Sequence, residues 1–518
     1  RCSIAPSLLL VLAAAVSADV PTPYSHSDFQ SVPCPISPSR FFPLCNTTEP
    51  LRDFFEWVPD FLKKEIAVLG APGAFVTVVQ NDSVLWAGSA GWADVNKTIP
   101  LTMDTGFRMA SITKLFTTMM LFQLRDAGKV SLDDPVSSLL PAFKVKSPYN
   151  TTREITLRSL ATHSSGLIRE EPYCPGCTED EILAALAAEN NTVLFGMYED
   201  THYSNLGVAL LGRALEKAAG QRYEDYVTEH ILQPLGMKSS GFDITPEVRK
   251  RMAQGVDGGK VVPLPSGTSW GCPAGELYST PSDMSKFLSA IMRYDHPAGD
   301  GNLVDGATLR EMQRMAVVQE DGMSGIGAGT FEMAHIGQHW AATKAGCLAG
   351  YRSDVVTVPK LRLSIFAVAT VTCDVRGDGD TLSFPIASRL IPIISEIFLS
   401  APLPDPPHAD EVVGSYCDGA VVVSVIREPP TLVARNYDTY YPMVLEWSAD
   451  YTYRARLMGP YLAIDTPGCR DASGGNLCPV SCALRMARGD REFVSFRVSG
   501  GNVTGMDSAG LGVSCDRD

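Results

Sequence analysis

Ser111-Ile112-Thr113-Lys114, followed by Leu115-Phe116-Thr117-Thr118-Met119-Met120, opens a strongly apolar stretch with helical patterning. The stretch stops at Gly128, a residue suited to a left-handed C-terminal cap. On a helix, side chains three apart share a face, so the Ser111 hydroxyl and the Lys114 amine become neighbours. A serine hydroxyl is inert at neutral pH until a base takes its proton, and a lysine in a partly desolvated pocket can be that base. The spacing alone is equally met by a surface serine beside a lysine whose stem lies along apolar surface. The surrounding chain has to decide.

Working outward, Phe75–Val79 and Ser83–Gly88 are strand-like runs joined by Gln80-Asn81-Asp82, a hairpin signal. A helix is expected over Leu51–Leu69. Residues 150–300 are mostly helical in pattern, with helices expected over Asn205–Ala219 and Pro281–Tyr294. Strands return at Ser353–Val358 and Leu361–Val371, and a last helix at Phe384–Leu399 is expected to bend at Pro392. Strands, a helical block, then strands and a helix imply an α+β fold whose sheet is built from both ends of the segment. The run Ala401-Pro402-Leu403-Pro404-Asp405-Pro406-Pro407 is a stiff linker. Beyond it, short Val- and Tyr-rich runs separated by Gly, Pro and Asn read as a small all-β domain. The expected division is therefore 19–54 as an N-terminal extension, 55–400 as the main domain, 401–410 as linker and 411–518 as the β-rich domain.

Arg1 to Ala18 has a positive start, an apolar run and the small-residue ending Val16-Ser17-Ala18, and reads as a signal peptide. Of the 13 cysteines, Cys2 lies within it, and an even set of twelve remains for disulfides. Six Asn-x-Ser/Thr sites, at Asn46, Asn81, Asn96, Asn150, Asn190 and Asn502, point the same way. Together these features predict a secreted, glycosylated protein. The formal net charge of −15 and the lack of a basic run argue against a nucleic-acid partner. No later segment is long and apolar enough for a stable membrane anchor. No cofactor or metal is called for.

Two more motifs carry chemistry. Tyr203-Ser204-Asn205 opens an apolar helix, where a phenol feels the positive end of the helix dipole and can exchange a proton with a serine. The Asn205 amide can orient a substrate carbonyl and contact the lysine. Lys344-Ala345-Gly346-Cys347 precedes a strand. Lys344, on an edge strand, can raise the local positive potential or hold a carboxylate, and Gly346 lets a substrate lie against the backbone. The N–H of Cys347 could pair with that of Ser111 as an oxyanion hole.

S-x-x-K, Tyr-x-Asn and Lys-Ala-Gly in this order resemble the serine beta-lactamase and penicillin-binding protein superfamily, and specifically its class C and esterase branch. Ile155 to Leu167, with Thr162-His163-Ser164-Ser165-Gly166-Leu167 at its end, is similar to that branch, as are Pro234-Leu235-Gly236-Met237 and Ala274 to Thr280. The resemblance covers about residues 55–400. It implies a beta-lactamase/transpeptidase-like antiparallel sheet flanked by helices, and a cleft between sheet and helical region. It also implies acyl-enzyme chemistry with Ser111, Lys114 and Tyr203 as catalytic residues and Asn205, Lys344, Gly346 and Cys347 binding substrate. The C-terminal region looks like an accessory domain of secreted fungal beta-lactamase-like proteins. Ala345 stands where the family usually has Thr, which removes a hydroxyl able to hold a substrate carboxylate. Cys347 follows the Gly directly, and a disulfide to Cys272 is one expectation for it.

Competing motifs weigh less. Gly267-Thr268-Ser269-Trp270-Gly271 matches a nucleophile elbow, but its prolines leave no strand-to-helix turn. His335 and His339 are separated by Gly337 and lack the Glu of a zinc helix, although one of them, or Trp340, could line the cleft. Cys174-Pro175-Gly176-Cys177 reads as a structural disulfide in a loop. The expected function is a secreted serine hydrolase acting on a small or peptide-like ester or amide. The alternatives are an acyltransferase using the same intermediate, as in fungal secondary metabolism, and a non-catalytic binding protein that retains the fold.

Overall fold

The computed structural model describes Leu44 and residues 49–373 apart from short gaps at 150–153, 171, 173–175, 191, 295–297, 300–301 and 338. It also describes 382–400 and, between 408 and 517, chiefly β-strands. The signal-peptide segment, Asn46, Asn150, the linker at 401–407 and Cys34, Cys45, Cys174, Cys469 and Cys482 lie outside the described residues. The chain divides into two compact units, which part at Phe398 and Leu399.

The larger unit is built on an eight-stranded antiparallel sheet whose order crosses the sequence. Ser83–Gly91 is one edge; Gly73–Gln80, Leu363–Ala369, Tyr351–Val358 and His339–Leu348 follow; Glu332–Ile336, Gly325–Gly327 and Met315–Val318 complete it. Early and late segments thus share one sheet. The first hairpin turns at Asn81, whose φ of +58 suits a tight two-residue turn. The three short strands between 315 and 336 are absent from the sequence reading, because glycines and polar residues interrupt them before any alternation builds up.

Each sheet face buries a separate core. One, with Ala74, Val76, Val78 and Ile365, is covered by the Leu51–Leu69 and Ser383–Ser400 helices through Phe54, Val58, Ile386 and Ile394. Pro392 lies inside the second of these helices. The other face, with Phe75, Val79, Val355 and Phe366, packs against the helical region. Thr113–Asp126 is the centre of that region and is buried on nearly all sides, which is why its apolar pattern is so continuous. The helix from Pro281 ends at Ala290, short of Tyr294, because the chain turns to bury the Tyr294 ring with its hydroxyl donating to Gln313 at 2.9 Å.

In the second unit, eight strands from Gly414–Cys417 to Val513–Arg517 close into an antiparallel barrel, the last pairing with the first at Tyr416 and Arg517. Closure removes the exposed edges that an open sheet of this kind would present. Tyr416, Val425, Val494, Phe496 and Met506 are buried in this unit. No helix among the described residues is long and apolar enough to cross a membrane.

Candidate active site

Ser111 sits in a single 3-10 turn, Ala110–Ile112, that feeds the Thr113–Asp126 helix. Ala110 adopts φ +49, a conformation that costs a non-glycine residue about 1–3 kcal/mol and persists only where neighbours hold it. The holding groups are identifiable. Thr113 Oγ1 donates to the Ala110 carbonyl at 2.6 Å and accepts from the Leu277 N–H at 3.1 Å, and Ser353 Oγ donates to the Met109 carbonyl at 2.7 Å.

Two side chains converge on the Ser111 hydroxyl. The Tyr203 hydroxyl donates to Ser111 Oγ at 2.6 Å, and Lys114 Nζ donates to it at 3.1 Å. Lys114 is fully buried and also donates to Asn205 Oδ1 at 2.7 Å and to the Ala274 carbonyl at 2.6 Å. Burial lowers its pKa, because the charged form loses water that these acceptors replace only in part. Tyr203 stands one residue before Ser204, which caps the Asn205–Ala219 helix by accepting from Gly207 N–H. Burial pushes the Tyr203 phenol up, but Lys344, Lys114 and the Ser111 hydrogen bond outweigh it and bring the phenol down to about 8. Three cations, on Lys114, Lys344 and Arg169, each lie 4.9 Å from the Tyr203 ring centre.

His339–Leu348 supplies the opposite wall. Glu332–Ile336 pairs only with its first half, through Thr343, so Lys344–Leu348 forms a local edge beside Ser111. Lys344 and Gly346 alternate onto the face shared with Ala342, toward the helical region, and Ala345 and Cys347 onto the other. A Cβ on Gly346 would lie 2.6 Å from the Met109 carbonyl and 3.0 Å from the Ser111 nitrogen, so only glycine lets the strand pass this close. Lys344 is buried and ion-paired with Glu332.

Cys347 does not bond to Cys272. It forms a disulfide with Cys373, and Cys272 is a buried free thiol at the start of a short helix packed against Asn205–Ala219. The register explains the correction. Arg352 lies opposite both Cys347 and Ala369, which brings the ends of their strands together and leaves the two cysteine Cα atoms 5.9 Å apart. Cys177 is disulfide-bonded.

Other groups here carried no assigned role in the sequence. His163, at φ +56, stacks on Tyr203 with ring centres 4.6 Å apart. Its Nδ1 accepts from Ser204 N–H at 3.1 Å, and Nε2 is 3.3 Å from Thr330 Oγ1. Burial, then Lys114 and Lys344, hold its pKa well below the usual imidazole range. Both carboxylate oxygens of Glu170 accept from Asn205 Nδ2, at 2.9 and 3.0 Å, and Glu170 pairs with Arg169. His163 falls in the Thr162–Leu167 stretch that carries the family likeness, whereas nothing marks Glu170 or Glu332 in the sequence.

The competing motifs fall elsewhere. Ser269 Oγ donates to Glu276 at 2.5 Å in an exposed loop. His335 packs against the Trp340 ring at a tilt of 44°, while His339 faces the other side of the sheet and contacts Ser395 Oγ at 2.9 Å. Among the described residues no group of three or more His, Cys, Asp or Glu is placed to hold a metal ion.

Residues 60–381 match the family model described as Beta-lactamase. Beta-lactamase-like protein 2 of Dictyostelium discoideum is 32% identical over 430 residues, 76% of each chain. The D-alanyl-D-alanine-carboxypeptidase/endopeptidase AmpH of Escherichia coli strain K12 is 29% identical over 58% of this chain and 80% of its own. Among solved structures, a Beta-lactamase/D-alanine Carboxypeptidase from Yersinia pestis complexed with citrate superposes with TM-score 0.55 at 26% identity, over 66% of this chain and 99% of that one. The octameric penicillin-binding protein homologue from Pyrococcus abyssi shares the fold, with TM-score 0.56 at 20% identity over 88% of this chain and 97% of its own.

Proposed function

The chain belongs to the beta-lactamase family, and from that premise we propose that it is a serine hydrolase cleaving an ester or amide through an acyl-enzyme on Ser111. The observation that carries this reading is the convergence of Tyr203 Oη and Lys114 Nζ on one hydroxyl, at 2.6 and 3.1 Å. In the reactive form Tyr203 is a phenolate. It takes the Ser111 proton as Oγ bonds to the substrate carbonyl carbon, and the carbonyl electron pair moves onto oxygen. The backbone N–H groups of Ser111 and Cys347 stabilise that oxyanion. Its collapse breaks the bond to the leaving group, which collects the proton from Tyr203. Water then attacks the acyl carbon, gives its proton to Tyr203, and Ser111 departs reprotonated. Lys114 keeps the phenolate accessible by its charge, and Asn205 fixes Lys114.

The protein is further read as secreted and glycosylated. Asn96, Asn190 and Asn502 are exposed, and the Cys347–Cys373 bond suits an oxidising compartment. A downward gel shift after enzymatic deglycosylation of protein from a eukaryotic secretory host checks the glycans.

The hydrolase reading is tested with a fluorophosphonate probe followed by peptide mass spectrometry. The expected result is one adduct on Ser111, together with hydrolysis of p-nitrophenyl butyrate that the probe abolishes. A folded protein that takes no adduct at Ser111 would overturn it.

A further inference from the structure

We propose that the leaving-group side of this site is built for neutral substrates and discriminates against those bearing a carboxylate beside the scissile bond. The inference rests on the acyl-enzyme reading above and concerns what lies along the Lys344–Cys347 edge. Along that edge Ala345 turns its methyl to the opposite face and Gly346 offers bare backbone, so neither side chain can donate a hydrogen bond to a substrate in the cleft. The nearest cation, Lys344, is only 1% exposed and its ammonium already pairs with Glu332. Arg169, on the helical side, pairs with Glu170 at 3.0 Å, and Lys114 is spent on Ser111, Asn205 and Ala274.

Charge counting gives the same answer. Lys114, Lys344 and Arg169 surround Tyr203, and Glu332 and Glu170 pair with two of them. Once Tyr203 is a phenolate, three positive charges face three negative ones. A substrate carboxylate would add an unmatched fourth negative charge at short range, and would also draw Tyr203 back toward its protonated form. A neutral leaving group disturbs neither balance. Arg108 has Glu276 beside it, and Arg352, opposite Cys347, turns to the other face of the sheet.

The experiment compares two substrates with the same scissile ester: hippuryl-lactate, with a free carboxylate, and hippuryl-lactamide. The readout is the ratio of their kcat/KM values, or of their protection of Ser111 against the fluorophosphonate where turnover is slow. The wild-type protein is expected to favour the lactamide by about tenfold or more. Glu332→Gln frees the Lys344 ammonium and is expected to reduce that ratio severalfold. Equal or better use of the lactate ester by the wild type would overturn the proposal, as would a ratio unmoved in Glu332→Gln. The hydrolase reading fails separately, when neither ester is cleaved and Ser111 takes no label. Labelling of Ser111 with the lactate ester preferred sinks only the specificity inference.

Discussion

Two serines in this molecule sit in motifs that announce a nucleophile, and the contrast between their surroundings shows what such a motif lacks by itself. Ser269 has the glycine spacing of an elbow, yet its exposed loop gives the hydroxyl a single carboxylate, Glu276, and no base that burial has readied. Ser111 has the poorer-looking motif. Its hydroxyl nevertheless meets a phenol and an amine held by Asn205, Ala274 and the ring of His163. The difference is desolvation together with charge. Burial lowers the Lys114 pKa, and the neighbouring cations bring the Tyr203 phenol down to about 8, so the proton between Tyr203 and Ser111 becomes transferable near neutral pH.

That contrast can be broken or sharpened by substitution. The largest effect is expected for Ser111→Ala, a loss of about 10⁴-fold or more in kcat with an unchanged thermal melt. Comparable loss in Ser269→Ala would reverse the assignment. Next come Lys114→Ala and Tyr203→Phe, each expected to cost about 10²–10⁴-fold, since each removes a proton-transfer partner while leaving the nucleophile. Steady-state ester hydrolysis checks both.

A smaller effect concerns pH. The Tyr203 phenol lies at about 8, below its ordinary 10, so the reactive phenolate grows in as pH rises and kcat/KM should climb to a plateau above about 8. Lys344 is the strongest influence holding that value down. Lys344→Met should therefore move the midpoint upward and cut activity more at pH 7 than at pH 9; a pH–rate profile with an unmoved midpoint would refute the role. The smallest effect belongs to Ser269→Ala, expected within about twofold of wild type, as for an exposed loop position.

Much of the fold is legible because its strongest signals are local. The Leu51–Leu69 and Asn205–Ala219 helices have amphipathic faces and helix-stopping glycines at Gly70 and Gly220 that need no partner to be recognised. The first hairpin announces itself through Asn81-Asp82. The strands at 315–336 do not, since their identity comes from pairing with a neighbour already in the sheet. The site divides the same way. Ser111, Lys114 and Tyr203 are chemically conspicuous residues in conspicuous order, whereas Glu170 and Glu332 are ordinary surface residues until the fold sets them against Asn205 and Lys344. Cys347 is the instructive failure. Its pairing with Cys373 follows from Arg352 standing opposite both strand ends, and register between strands is a property of the sheet.

The sequence by itself therefore determined the chemistry on offer: a hydroxyl, an amine and a phenol, a glycine where a side chain would collide, and a helix apolar enough to be buried. Periodicity and residue type are local quantities, and they suffice for that. Only the tertiary structure decided which charges cancel, which cysteine finds which, and that Lys344 is already paired with Glu332. Those outcomes depend on distances between segments far apart in the chain, and electrostatic energy is set by such distances and by burial.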